Sequence, residues 1–334
     1  MALYCGACAS DLHTISNGWG YTSYPQVIGD EIFGTVVRAG SQVKHLKEGD
    51  LVGVGAQNDS CLACENCKAN RERYCDRGAI GTYNATYYRE GPDKGQKSWG
   101  GYADYHRAPA HFVLKIPDGL DPAIAAPMLC GGVTVFSPLK HYGAYNEAKD
   151  VGIIGIGGLG HFGLLFSQAL GANVTAISHS ESKRADAEKM GADRFIATHS
   201  GNQDDFKPHF RSLDLIIATS NDEKMPLDGY LSHLRPYGKL VLVGVPEAPL
   251  PTITPFQLIA NGVALAGSAI GSPSEIRDML ALAAAQNVKS WIVKKPIEEA
   301  NEVVVKVHQE GARYRYVLVK QKNGGKLLSW RRKK

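Results

Sequence analysis

An apolar, β-branched run, Val151 to Ile154, leads straight into Gly155, Gly157 and Gly160, and from His161 to Leu170 the chain takes on helical character. No other stretch restricts the fold as much. A buried strand, a G-x-G-x-x-G turn and a helix form the context in which a chain binds a dinucleotide. The first glycine permits the tight turn, and the second lets the backbone approach a pyrophosphate. The third lets the helix pack close to the strand, and the helix N-terminus offers N–H groups and a partial positive charge. A glycine pattern alone is weak evidence, because such turns are common; the flanking strand and helix carry the reading.

The next strand, Asn173 to Ser178, ends about twenty residues past the glycines, where an NAD-binding chain places Asp or Glu. Here it ends Ser178-His179-Ser180, with Lys183 and Arg184 following. Hydroxyls and two cations suit a 2′-phosphate, so the pattern predicts NADP(H). Ser180 also fits the plainer role of a helix N-cap. Further on, Leu213–Ala218, Lys239–Gly244 and Val263–Ser268 read as strands, and Ser274–Ala285 as a helix. Such alternation predicts an α/β fold with a doubly wound parallel sheet.

A second feature is independent of the first. Cys61, Cys64, Cys67 and Cys75 place four thiols within fifteen residues, the spacing of a closed tetrahedral zinc site. Two disulfides or an iron–sulfur cluster are the alternatives; nothing in the sequence suggests secretion, which disfavours the first. Three cysteines remain. Cys5-x-x-Cys8 fits a redox pair or half of a metal site, and Cys130, at a helix start, reads alone as a small buried hydrophobe. Residues 1–60 read as short strands and turns, among them Ile28–Val37 and Gly49–Val54.

At 334 residues the chain is long enough for two domains, and 44% apolar with 21% charged residues is ordinary globular composition. The net charge of +4 comes from the end: residues 320–334 hold seven basic and no acidic side chains, leaving 30 basic against 33 acidic elsewhere. A basic tail on a mildly acidic body is no nucleic-acid surface, and a nucleic-acid-binding zinc lobe would carry the basic charge itself. The tail, 320–334, is expected to be disordered and solvated. No apolar run reaches membrane-spanning length and no signal peptide is visible, so the expected setting is the cytosol.

Taken in order, Cys-Gly-x-Cys-x-Ser-Asp-Leu-His at 5–13, Gly-Asp-Glu at 29–31, the four-cysteine lobe, Leu-Cys-Gly-Gly-Val-Thr-Val at 129–135, the glycine turn and Arg-Tyr-Arg-Tyr at 313–316 resemble the zinc-containing medium-chain dehydrogenases. The similarity is greatest to the cinnamyl alcohol dehydrogenase-like, NADPH-dependent branch, from about residue 3 to 319. The resemblance implies a GroES-like β-rich catalytic domain from 1–130 and 271–319, carrying the zinc lobe 61–75, and a Rossmann domain over 131–270. It implies Cys8, Cys130 and the residue at 30 as catalytic-zinc ligands, and Glu31 as the carboxylate that exchanges with substrate or water. Ser10 would meet the alcohol proton, His13 would pass it on, and Trp19 would line the pocket or sit in the core. Gly158 and Leu159, with the three motif glycines, and Arg315 would meet the cofactor. A homodimer through the Rossmann domain and small alcohol or aldehyde substrates follow from the same likeness.

Two departures shape the expected activity. Where the family has histidine, this chain has Asp30, so the zinc ligands Cys8, Cys130 and Asp30 carry three negative charges and the site becomes net anionic. Such a site is a weaker Lewis acid, and Asp11 is expected to face Asp30 and add repulsion. Catalytic zinc is therefore expected to bind weakly. The chain also starts inside what should be a barrel strand, which predicts an open, unpaired edge. The expected function is an NADP(H)-dependent zinc-type oxidoreductase interconverting primary alcohols and aldehydes, working as an aldehyde reductase. The alternatives are a zinc-free reductase of activated C=C or C=N bonds and a nucleotide-binding pseudoenzyme.

Overall fold

The protein is described from a computed structural model that covers every residue except 145, 147, 199–202, 310–311 and 328–334. The chain forms two compact units, Met1–Val133 with Gly271–Lys334, and Thr134–Ile270.

The first unit opens with β1 (Ala2–Ala7), β2 (Ile32–Thr35), β3 (Leu51–Val54), a small hairpin of β4 (Gln57–Asp59) and β5 (Ile80–Gly81), and β6 (Leu114–Lys115). In the second unit, β7 (Asp150–Ile154), β8 (Asn173–Ser178), β9 (Arg194–Ala197), β10 (Leu213–Ala218), β11 (Leu234–Leu242) and β12 (Ala264–Gly267) form a six-stranded sheet. The chain then returns to the first unit with β13 (Ile292–Pro296) and β14 (Arg315–Val319).

The first sheet has the order β13-β14-β1-β2-β3-β6. Every residue of β1 is buried, as an apolar run with two covered faces should be. Leu3 and Tyr4 pack with Phe33, Val317 and Val319, while Ala2 and Cys5 pack with Ile32 and Val54. The expected open edge is not at β1. Tyr4 pairs with Val319 on one side and Phe33 on the other, both antiparallel, because the C-terminal strand supplies a ladder that local sequence does not reveal. A cavity of about 440 Å³ beside these strands is lined by Ala2, Ile32, Val52, Val54, Arg38 and Arg107 among others.

The tail also differs from expectation. Lys320 donates its amide to the Leu3 carbonyl (2.9 Å) and its buried ammonium to the Ala103 carbonyl. The Asn323 amide reaches the Ala2 carbonyl (3.0 Å), the Lys326 N–H reaches the Tyr4 hydroxyl (2.8 Å), and Leu327 joins the Leu3–Tyr4 cluster. Residues 320–327 are thus part of the first unit, held by backbone acceptors on and near β1; the rest of the tail, 328–334, lies outside the described residues.

The second sheet is parallel throughout, in the order β12-β11-β10-β7-β8-β9. The strand order reverses at β7, so the glycine turn leaves the sheet at its topological switch point, where such folds bind ligands. β11 begins five residues earlier than its apolar run suggests. Tyr237 has a φ of +67° and the pairing register with β10 shifts near Leu213, so Pro236 to Gly238 form an irregular stretch of strand. Among the described residues no single helix is long and apolar enough to cross a membrane; one pair, Pro122–Leu129 and Gly131–His141, bent by 61°, passes only by length and composition and is almost entirely buried.

Candidate metal centres and nucleotide turn

Cys8, Asp30, Glu31 and Cys130 come together inside the first unit, with one donor atom from each within 4.8 Å of the others. Cys8 sits between β1 and the helix Ala9–Ser16, the two carboxylates directly precede β2, and Cys130 precedes the helix Gly131–His141. Two glycines make room for them. A Cβ at Gly6 would lie 1.8 Å from Glu31 Oε2, and Gly29, at φ +102°, turns the chain where a Cβ would strike Tyr102 and Cys5. The thiol of Cys130 donates to Asp30 Oδ2 (3.4 Å), and the Ser10 hydroxyl donates to the same oxygen (3.3 Å). Glu31 Oε1 accepts from the Gly131 amide (3.2 Å) and from the guanidinium of Arg315.

Five acidic groups, Cys8, Asp11, Asp30, Glu31 and Cys130, share this buried space with the Arg315 cation, and their proton affinities follow. Burial and the nearby Cys8 charge push Asp30 well above the carboxylate range. Burial takes Glu31 up to about 8 against the pull of Arg315, and burial with Cys8 takes Asp11 to about 7. Hydrogen bonding from Cys130, against the cost of burial and helped by Arg315, draws the Cys8 thiol well down. Asp30 Oδ1 and Glu31 Oε2 are buried without a hydrogen-bond partner. Two sulfurs and two carboxylates at this spacing, with orphaned oxygens, fit a divalent cation of zinc's borderline softness.

Several expected roles are redistributed. Asp11 accepts the Cys8 N–H through Oδ2 (2.9 Å) and the Gly29 N–H through Oδ1 (3.0 Å), and its charge adds to the repulsion that raises Asp30. It braces the two ligand loops, and its position three residues after Cys8, at the start of a helix, was a legible capping signal. Arg315, expected at the cofactor, is buried against Glu31. Cys5 is no redox partner for Cys8; both are free thiols, and Cys5 packs against Ile32 and Val54. His13 stacks on Trp19 at 4.6 Å, and Trp19 on Tyr21 at 6.0 Å. A cavity of about 320 Å³ opens beside Asp30, walled by Thr14, Trp19, Tyr21 and Tyr83.

The sulfurs of Cys61, Cys64, Cys67 and Cys75 also lie within 4.8 Å of one another. Amides of Ala63 and Cys64 point at the Cys61 sulfur (3.4 and 3.3 Å), and the Cys61 amide points at Cys75 (3.4 Å). Although burial opposes it, the Tyr88 hydroxyl and nearby amides bring the Cys75 thiol down to about 6. Between residues 61 and 79 only Cys67, Glu72 and Cys75 are buried. A segment with so little apolar packing needs another source of order, and the four sulfurs fit a closed zinc site.

In the second unit, Gly155 has a φ of +83°, and a Cβ at Gly160 would lie 1.8 Å from the Gly155 carbonyl oxygen. Space beside Gly157 is open, as close approach of a pyrophosphate requires, and Gly158 and Leu159 lead into the helix Gly160–Ala169. β8 ends at Ser178; beyond it the hydroxyls of Ser180 and Ser182 lie 2.9 Å apart, and Lys183 closes a short 3₁₀ turn. Glu181, three residues past the end of β8, is a carboxylate in this turn. Arg184 pairs with both its oxygens (2.6 and 2.9 Å) in a half-exposed surface contact.

Residues 2–118 match the alcohol dehydrogenase GroES-like domain family, and residues 158–285 match the zinc-binding dehydrogenase family. Among curated proteins, 8-hydroxygeraniol dehydrogenase from Catharanthus roseus is 43% identical over 317 residues, 95% of this chain and 85% of that protein. Among solved structures, a cinnamyl alcohol dehydrogenase of Sorghum bicolor superposes with a TM-score of 0.89 at 35% identity, covering 98% of this chain and 90% of the other. The cinnamyl alcohol dehydrogenase of Helicobacter pylori, complexed with NADP(H), gives 0.86 at 30% identity over 96% and 89%.

Proposed function

Since the chain belongs to the zinc-binding alcohol dehydrogenases, of the medium-chain, cinnamyl alcohol dehydrogenase-like kind, we propose that it is an NADP(H)-dependent oxidoreductase that reduces aromatic or medium-chain aldehydes to primary alcohols. The observation that carries this reading is the buried cluster of two cysteines and two carboxylates with a cavity of about 320 Å³ beside it, walled by Trp19 and Tyr21. When bound, zinc supplies Lewis acidity to a carbonyl oxygen and NADPH supplies the hydride.

The chain's own residues do the rest. Cys8, Cys130 and Asp30 would hold the metal, weakly because all three are anionic, and Glu31, steadied by Arg315 and the Gly131 amide, would be the carboxylate that exchanges with substrate. Burial excludes water from the cluster, which strengthens every charge interaction within it. His13, kept in place by stacking on Trp19, carries the proton between pocket and solvent.

Gly155 to Gly160 cradle the pyrophosphate, and Ser178, Ser180 and Lys183 take the 2′-phosphate. Arg184, paired with Glu181 at the surface, is a further cation for the same phosphate. Lys183→Ala is expected to lose roughly 1–3 kcal/mol of NADPH affinity, the scale of one charge-assisted hydrogen bond. Calorimetry with NADPH and NADH checks this, and equal affinity for both cofactors would remove the assignment. The reading extends to a homodimer formed through the second unit, in the cytosol. It is supported by edge strand β12 and by Phe256 and Ile259, which are 75% and 76% exposed on the helix Pro255–Asn261. The test of the function itself is NADPH oxidation against cinnamaldehyde with zinc counted per chain. Slow turnover with about one zinc is expected, and no reduction of any aldehyde would refute the reading.

A further inference from the structure

The cavity beside Asp30 contains a hydroxyl with no role so far. Tyr83 lines it, and its hydroxyl is buried and makes no close hydrogen bond; the Ser10 and Asp11 side chains lie only within weak hydrogen-bonding reach of it. A buried, unsatisfied hydroxyl is costly and rare, and inside a ligand cavity it marks a contact that the ligand completes. The backbone on either side is tied down. The Thr82 amide donates to the Ala56 carbonyl (2.9 Å), the Thr82 hydroxyl donates to the Gly55 carbonyl, and the Asn84 side chain accepts the Ser23 amide (2.9 Å). Tyr83 is therefore pre-aimed, with little ordering left to do on binding.

Ser10 is in the opposite situation. Its hydroxyl has one proton to give, and that proton is directed at Asp30 Oδ2. Resting on the oxidoreductase reading above, we propose that Tyr83 is the substrate-binding hydroxyl of this chain, donating to the oxygen of the bound aldehyde or alcohol in place of Ser10. The ligand class that fits is a neutral aldehyde or primary alcohol with its apolar body against Trp19, Ala56, Ala79 and Ala85.

The test compares Tyr83→Phe with Ser10→Ala in the full chain, using cinnamaldehyde reduction and calorimetric binding of cinnamyl alcohol in the presence of NADP⁺. Tyr83→Phe is expected to lower kcat/KM and alcohol affinity about tenfold, and Ser10→Ala less than about threefold. Zinc content and NADPH affinity should stay unchanged in both, which separates lost substrate contact from damage to the fold. If Tyr83→Phe stays within about twofold of the unmutated chain, or Ser10→Ala costs as much, the proposal is overturned. Should the unmutated chain reduce no aldehyde, the functional reading fails on its own. Alcohol affinity then decides about Tyr83: a tenfold loss in Tyr83→Phe supports it, and equal affinities or no binding at all overturn it.

Discussion

Asp30→His is expected to raise zinc content from about one to about two per chain and to raise aldehyde turnover roughly tenfold or more. The argument is a charge count. Once Glu31 is ionised Arg315 balances it, and Cys8, Cys130 and Asp30 then set the charge around the metal. With three anionic ligands a dication leaves a net negative centre, which opposes the polarisation of a carbonyl oxygen. Imidazole in place of the carboxylate brings that centre to neutrality. The site can take the larger ring, because Asp30 borders the open cavity, and Asp11 is already occupied by two backbone amides. Asp30→Asn, which removes charge without supplying a nitrogen ligand, is expected not to gain the second zinc. Metal analysis and steady-state kinetics decide the matter. An unmutated chain with two zincs and brisk turnover would show that the carboxylate is a competent ligand and the charge argument mistaken.

The second large effect concerns the cysteine lobe. Cys64→Ser, or removal of the metal by a strong chelator, is expected to cost one zinc per chain and to open residues 61–79 to proteolysis. Structural zinc sites contribute on the order of 10 kcal/mol to the fold they close. This lobe has almost nothing else to rely on, since the residues it buries are two of the ligands and Glu72. Glu72 is held by His111 (2.7 Å), and its carbonyl by the Gln57 side chain (2.9 Å), so the lobe's base should survive while its tip unravels. Unchanged zinc content and unchanged protease resistance in Cys64→Ser would contradict the assignment.

What could be read from the chain in advance depended on distance along it. The parallel sheet, the glycine turn and the four-cysteine cluster are each encoded within a few consecutive residues, and the strands at 173–178 and 213–218 lie where their apolar runs place them. Arg315 is different: an arginine in a strand says nothing about a partner 284 positions away, and only the pairing of β1 with β14 brings it to Glu31. Lys320 misleads for a related reason. In a basic tail it reads as solvated, yet the Ala103 carbonyl gives its ammonium a buried acceptor. Tyr83 carries no motif at all, since an unsatisfied hydroxyl is a property of its surroundings. Glu181 is legible from local sequence, being three residues past the end of β8.

The pairing of β1 with both β2 and β14 also bears on how the protein is made. Ladder partners such as Tyr4 and Val319 lie about 315 residues apart, whereas the second unit is contiguous from Thr134 to Ile270. During synthesis the second unit emerges whole and can fold while the ribosome is still adding the rest, as domains generally do. β1, made before the second unit, cannot complete its ladder until Tyr316 to Val319 appear, and loop closure over that span is slow. Until then a fully apolar strand stands with one side unpaired, the state in which nascent chains aggregate or recruit chaperones. Translation stalled just before Arg315 should therefore yield a protease-resistant second unit attached to a first unit that is still digestible.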